Sequence, residues 1–348
     1  MKKRLWVGCF ASIGVGALIL DAETALIASK EAVQLCMHVA IPSLFPFFVL
    51  INLLNAAIFG SEFRWLVPLE KRMKLPAGSG SLFVVSLLGG YPTGAQLVHR
   101  AWKDGAIDRS NAQRMFAFCS NAGPAFLFGI VGPMFSCRWT AWALWVIHIL
   151  SSILVGCIYR KEIRQSPAVL KPLPISFSDA LKRSVSVMGY VCGWIVLFRV
   201  ITAFCTRWFL WSFPKEIQVM FISVLELVNG STSLNLIKNE GLRMIVASAT
   251  VSFGGICVLM QTASVTDGLE VRDYLKGKLL QTIFAISLSV IVQVFLFPID
   301  NRVNIDLLSF LAAPVILLLI FYFAGKRKFT VAFQKKRVYN SGRNKRKG

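Results

Sequence analysis

Apolar residues fall in long, nearly unbroken blocks rather than in the alternating or one-faced patterns of soluble strands and helices. About twenty consecutive apolar residues span a bilayer as a helix. Six blocks reach or approach that length: 5–20, 36–59, 139–159, 185–205, 279–298 and 307–324. Two more, 111–135 and 244–265, are interrupted by polar residues and glycines. The pattern predicts an all-α polytopic membrane protein with about eight transmembrane helices. Lys2-Lys3-Arg4 ahead of the first block also suits a signal peptide, but no small-residue cleavage site follows, so the block reads as a retained span.

A ninth apolar stretch, 81–98, is broken in its middle by Gly89-Gly90-Tyr91-Pro92-Thr93-Gly94-Ala95. A break at membrane depth frees N–H and C=O groups that lipid cannot satisfy, so it is tolerated only inside protein or beside a water-filled cavity. Broken helices of this kind build the solute sites of secondary transporters. A second break, Glu226-Leu227-Val228-Asn229-Gly230-Ser231-Thr232-Ser233, falls in the polar-interrupted stretch 217–236.

Charge decides how these stretches sit. The net charge of +21 could suggest nucleic acid, but its distribution argues for a membrane. With 81–102 and 217–236 treated as re-entrant hairpins, 30 of the 38 Lys and Arg fall on the N-terminal side, seven on the far side, and Arg199 lies within a span. Acidic residues divide nine to seven, with Glu226 in the second hairpin, so the whole excess lies on one face. That is the cytoplasmic face by the positive-inside rule, and both termini fall there. Letting both hairpins span weakens the basic split to 23 against 14. Ten of the basic residues form the tail after Ala324, which suits stop-transfer and anionic lipid rather than nucleic acid.

The same order of elements occurs twice. Residues 29–54 run from an amphipathic start into a span containing Pro42 and Pro46, and 178–206 repeat the plan. Each is followed by a broken hairpin, then by an interrupted span (Cys119-Ser120-Asn121-Ala122-Gly123-Pro124; Ser252-Phe253-Gly254-Gly255 on to Gln261), then by a closing span. One span, one hairpin, one broken span and one closing span make three crossings, so the second half enters the membrane inverted. Such repeats place a binding site near the midplane, where the breaks meet. The organisation is then an N-terminal span (1–25), two repeats (26–160 and 175–300), a last span (301–325) and the basic tail (326–348).

The breaks supply the candidate site: Gly90, Tyr91, Pro92, Thr93, Gly94, Asn121 and Gly123 from the first half, and Asn229, Gly230, Ser231 and Gln261 from the second. Thr93 and Asn121 suit helix N-caps, and Pro124 suits a first turn. Helix N-termini that converge favour an anion; the alternative is that the caps satisfy only each other. Glu226 is the one carboxylate placed in the hydrocarbon region, where an unpaired charge costs about 2.5–3.5 kcal/mol. It either couples a proton or forms a static pair with Arg199. The eight cysteines form no CxxC pair and the three histidines are scattered, so no metal site is expected. No phosphate loop, nucleophile elbow or dinucleotide fingerprint occurs, which excludes ATP-driven transport within this chain and implies neither a cofactor nor an enzyme.

Gly90-Tyr91-Pro92-Thr93-Gly94-Ala95, followed by Ser120-Asn121-Ala122-Gly123-Pro124-Ala125-Phe126 and a paired second half, resembles the YlbJ family of sporulation membrane proteins. That family is grouped with the Gate, or nucleoside-recognition, domain proteins. The resemblance runs from about Leu26 to Phe297; Gly89 and the long basic tail depart from it. It implies movement of dipicolinate, a planar dianion, across the outer forespore membrane. Two alternatives stay open, a nucleoside-type transporter and a non-transporting assembly or signalling partner in spore formation.

Overall fold

The computed structural model describes residues 2–58, 61, 63–160, 175–298, 300 and 303, and all but the last lie in one compact unit. The expected span 307–324 and the basic tail lie outside the described residues. Among the described residues there is no strand. The helices are α1 (Lys2–Leu20), α2 (Ala22–Ile58), α3 (Val67–Met73), α4 (Ser79–Gly89), α5 (Thr93–Lys103), α6 (Arg109–Phe116) and α7 (Pro124–Met134) in the first half. The second half opens after α8 (Trp139–Ile158) with α9 (Phe177–Leu210), α10 (Lys215–Leu225) and α11 (Leu227–Thr232), then α12 (Glu240–Phe253), α13 (Gly255–Ser264) and α14 (Val271–Leu296).

Among the described residues, five helical segments are long and apolar enough to cross a membrane: α2, α8, α9, α14, and α12 with α13 taken together as Glu240–Ser264. Two run longer than their apolar blocks. α2 starts at Ala22, where the Asp21 carboxylate accepts the Thr24 N–H, and its first turns bury Ala25, Ala28 and Ala32. Small residues on that face let α9 approach closely. Pro42 and Pro46 lack an N–H to donate, and the helix meets them with a π-helical turn over Cys36–Ala40.

α2 and α9 pack antiparallel along their whole lengths. Arg207 reaches Asp21 and Thr24, Arg199 reaches Glu31, the Cys36 thiol donates to the Cys192 carbonyl, and Asn52 donates to Ser184. α8 packs against α14, α6 touches α14, and α12 touches α8.

The expected interrupted span 111–135 is not one helix. α6 ends at Phe116, residues 117–123 are irregular, and α7 begins only at Pro124. Its counterpart is divided only at two adjacent left-handed glycines, Gly254 (φ +80°) and Gly255 (φ +81°), between α12 and α13.

The broken stretches are hairpins. α4 and α5 hold 11 residues each, about 16 Å, roughly half a hydrocarbon core. In a straight helix Ser86 and Gly94 would stand about 12 Å apart; here a Cβ placed on Gly94 would lie 2.8 Å from Ser86 Cβ. The chain therefore doubles back at Gly90-Tyr91-Pro92. Likewise a Cβ on Gly230 would lie 2.5 Å from Ser223 Cα, so α10 and α11 fold back at Glu226.

Candidate functional site

Each hairpin tip is held by a glycine from the following element. A Cβ on Gly123 would stand 2.8 Å from the Leu88 carbonyl oxygen and 3.1 Å from Gly90 N. A Cβ on Gly255 would stand 3.2 Å from the Leu225 carbonyl oxygen and 3.3 Å from Glu226 Cα. Backbone thus lies on backbone at both breaks, which only glycine permits. The two tips converge on one partly open cavity, whose space of about 570 Å³ includes open solvent. From the first half it is lined by Gly90, Tyr91 and Gly123, and from the second by Glu226 and Gln261. Its remaining walls are chiefly apolar, including Leu44, Phe48, Phe126 and Val258.

Five of the expected site residues therefore meet at the cavity, with Glu226 among them. Pro92, Thr93, Gly94, Asn121, Asn229, Gly230 and Ser231 do not line it. Gly94 and Gly230 serve the hairpins' close approach, as above. Thr93 is not a cap: Pro92 holds the N-cap position of α5, without a side-chain bond. Asn121 is not a cap either, because the chain stays extended to Gly123, which holds that position, and Pro124 opens the helix as expected. The Asn121 amide instead donates to the Phe118 carbonyl at 2.8 Å and to Ser152 at 3.3 Å. Asn229 and Ser231 are fully buried within α11.

Glu226 is 2% exposed, and its carboxylate caps α11, accepting the Val228 N–H at 3.0 Å and the Asn229 N–H at 2.6 Å. Its carboxylate occupies the N-terminal end of α11, a different helix end from those at Thr93 and Asn121 that were expected to favour an anion. The expected pairing with Arg199 does not occur: Arg199 bonds Glu31 at 2.7 Å, because α9 lies along α2 and turns that side chain outward.

A charge that the sequence pattern assigned to the cytoplasmic face lies in the core instead. Lys278, just ahead of the apolar block 279–298, is 0% exposed. Its ammonium donates to Tyr91 Oη at 3.2 Å, to Gln281 Oε1 at 2.6 Å and to the Ser120 carbonyl. It also stands 5.0 Å from the Tyr91 ring centroid. Its three protons thus meet three acceptors, none of them a carboxylate. Gln281 extends the network by donating to Asn121 Oδ1 at 3.0 Å, and Tyr91 Oη donates to the Val251 carbonyl at 3.0 Å. On the neighbouring α8, His148 Nε2 accepts the Ala122 N–H, and its Nδ1 lies 3.2 Å from Ser252 Oγ. The signal for Lys278 was present as Gly277-Lys278: a Cβ on Gly277 would overlap the Ala117 carbonyl, so that turn of α14 is packed inward, not solvated.

No family model matches the chain, and no solved structure matches it. It is 25% identical over 334 residues, 81% of this chain and 80% of the relative, to the sporulation integral membrane protein YlbJ of Bacillus subtilis (strain 168). Its five apolar helices agree with that relative in being those of a multi-pass membrane protein. Spread over four-fifths of both chains, the similarity supports the YlbJ family of sporulation integral membrane proteins as the family of this chain.

Proposed function

We propose that the chain carries a small solute across a membrane of a sporulating bacterial cell. The observation that carries this reading is the shared cavity at the two hairpin tips, which joins Gly90, Tyr91 and Gly123 to Glu226 and Gln261. In this reading the two halves are inverted repeats and the hairpins are re-entrant, as the antiparallel α2–α9 packing and the equal order of elements favour. The apolar walls suit the faces of a planar ring, and the polar atoms at the tips suit its substituents.

Dipicolinate, the solute implied by the resemblance, is the first candidate. Its charge meets that of Glu226 in the same cavity. Two like unit charges about 5 Å apart at an effective dielectric of ~20 repel by about 3 kcal/mol. Movement of the anion is then coupled to a proton on Glu226, which makes the solute and the proton joint cargo. The test is uptake by vesicles reconstituted with the protein, offered labelled dipicolinate, nucleosides or small dicarboxylates. Dipicolinate uptake that rises with an imposed proton gradient and loses that response in Glu226→Gln is the expected result. No solute moving faster than in empty vesicles would refute transport. The chiefly apolar lining favours a second reading, a non-transporting membrane partner in spore formation, and that outcome would select it.

A further inference from the structure

We infer that Lys278 is the positive charge of the solute site and that Tyr91 is the movable cover between them. The inference rests on the proposed solute cavity and adds the group that recognises a carboxylate anion there.

Among the described residues no cation lines the cavity, yet a lysine sits one side chain behind its wall. Tyr91 belongs to both. It lines the cavity, and its hydroxyl accepts a hydrogen bond from Lys278 Nζ at 3.2 Å. Among the described residues no carboxylate lies within 4 Å of the fully buried Lys278 Nζ, so a proton held there makes a charge with no counter-ion. Buried charges are ordinarily paired, and intramembrane ones mark solute or ion pathways. The neutral acceptors around Lys278 hold it but leave its charge available. Two of them, Tyr91 Oη and Gln281 Oε1, are side-chain atoms that can be exchanged for a carboxylate oxygen without opening a helix.

Tyr91 is placed to move. It follows Gly90, which has φ +77°, at the hairpin tip where no helical hydrogen bonds hold the backbone. On the far side the ring touches Gly254 at the break between α12 and α13: a Cβ there would lie 3.3 Å from Tyr91 Cζ. One side chain thus contacts both breaks and the buried cation. Displacing its hydroxyl would expose Nζ to the cavity, where a carboxylate would take its place as acceptor, with a charge-assisted bond in place of a neutral one.

The experiment compares the wild type, Lys278→Gln, Lys278→Arg and Tyr91→Ala in lipid nanodiscs and vesicles. Binding and uptake of pyridine-2,6-dicarboxylate are measured against its neutral diamide. Folding is checked by the size-exclusion profile. A small amine-directed reagent also reports Lys278 access by peptide mass. The expected result is a dianion preference of at least tenfold in the wild type, kept in Lys278→Arg and lost in Lys278→Gln. Lys278 should stay unlabelled in the wild type, react in Tyr91→Ala, and be protected by the dianion. Transport with the preference unchanged in folded Lys278→Gln overturns the inference and leaves transport standing. If that variant fails to fold, the labelling decides. An unreactive Lys278 in Tyr91→Ala, or one the dianion does not protect, overturns the inference. Protection without uptake by the wild type defeats transport but keeps Lys278 as the anion's partner.

Discussion

Gly94→Ala adds one methyl group where the first hairpin folds back on itself. That Cβ would overlap the Cys119 carbonyl oxygen, stand 2.8 Å from Ser86 Cβ and reach within 2.9 Å of the Cys119 carbonyl carbon. Neither neighbour is the free end of a flexible side chain. Either α5 moves off α4, or the irregular segment 117–123 shifts and takes with it the Ser120 carbonyl that receives the Lys278 ammonium. Forcing a methylene into a packed core costs about 1–3 kcal/mol, and a clash with fixed backbone belongs at the top of that range. A loss of about 3 kcal/mol is roughly a hundredfold in the open-to-closed ratio. Cys119 and Cys257 are both 0% exposed and free, so in a background with the other six cysteines replaced by alanine a thiol-activated fluorophore added during heating in detergent reads that opening. Gly189→Ala is the matched control, because its Cβ would meet nothing within 4 Å and alanine is the better helix former by about 1 kcal/mol. The expected outcome is a clear fall in the labelling midpoint for Gly94→Ala and none for Gly189→Ala. Equal midpoints would show that the close approach does not hold the hairpin, and the argument from chain reversal would fail with them.

At the second break, Gly255→Ala puts a side chain at φ +81° as well as against Glu226, which should cost about 1–2 kcal/mol in the same thermal assay, whereas a neutral result would count against the backbone contact at that tip. Glu226→Gln keeps one acceptor for the Val228 and Asn229 N–H groups but turns an amide donor toward the other, a loss of about 1–3 kcal/mol. Since Arg199 bonds Glu31, adding Arg199→Gln should not recover stability; recovery beyond about 0.5 kcal/mol would re-establish a Glu226–Arg199 couple. Arg199→Gln alone should cost no more than about 1 kcal/mol, as its ion pair is partly exposed. Cysteines placed at Lys71 and Lys103 should be labelled from one side of the membrane and one at Lys238 from the other. Labelling of the first two from opposite sides would remove the re-entrant hairpin.

The sequence by itself determined the class of fold. Apolar blocks the length of a bilayer admit only helices, because lipid offers the backbone no other partner. The glycines and the single proline at 89–94, and Glu226, mark where those helices must stop, and both marks became hairpin tips at one cavity. What it could not decide was which side chain faces what. Thr93 and Asn121 have the chemistry of caps, but capping depends on where the backbone turns, and neighbouring elements moved that point to Pro92 and Gly123. Arg199 and Glu226 looked like partners because they were the two charges at membrane depth, yet helix rotation gave Arg199 to Glu31. Lys278 looked cytoplasmic because hydropathy counts residues one at a time. Its burial depends on acceptors contributed by Tyr91, 187 positions away, and Ser120, 158 away, which only the packing of α14 against the first half brings within reach.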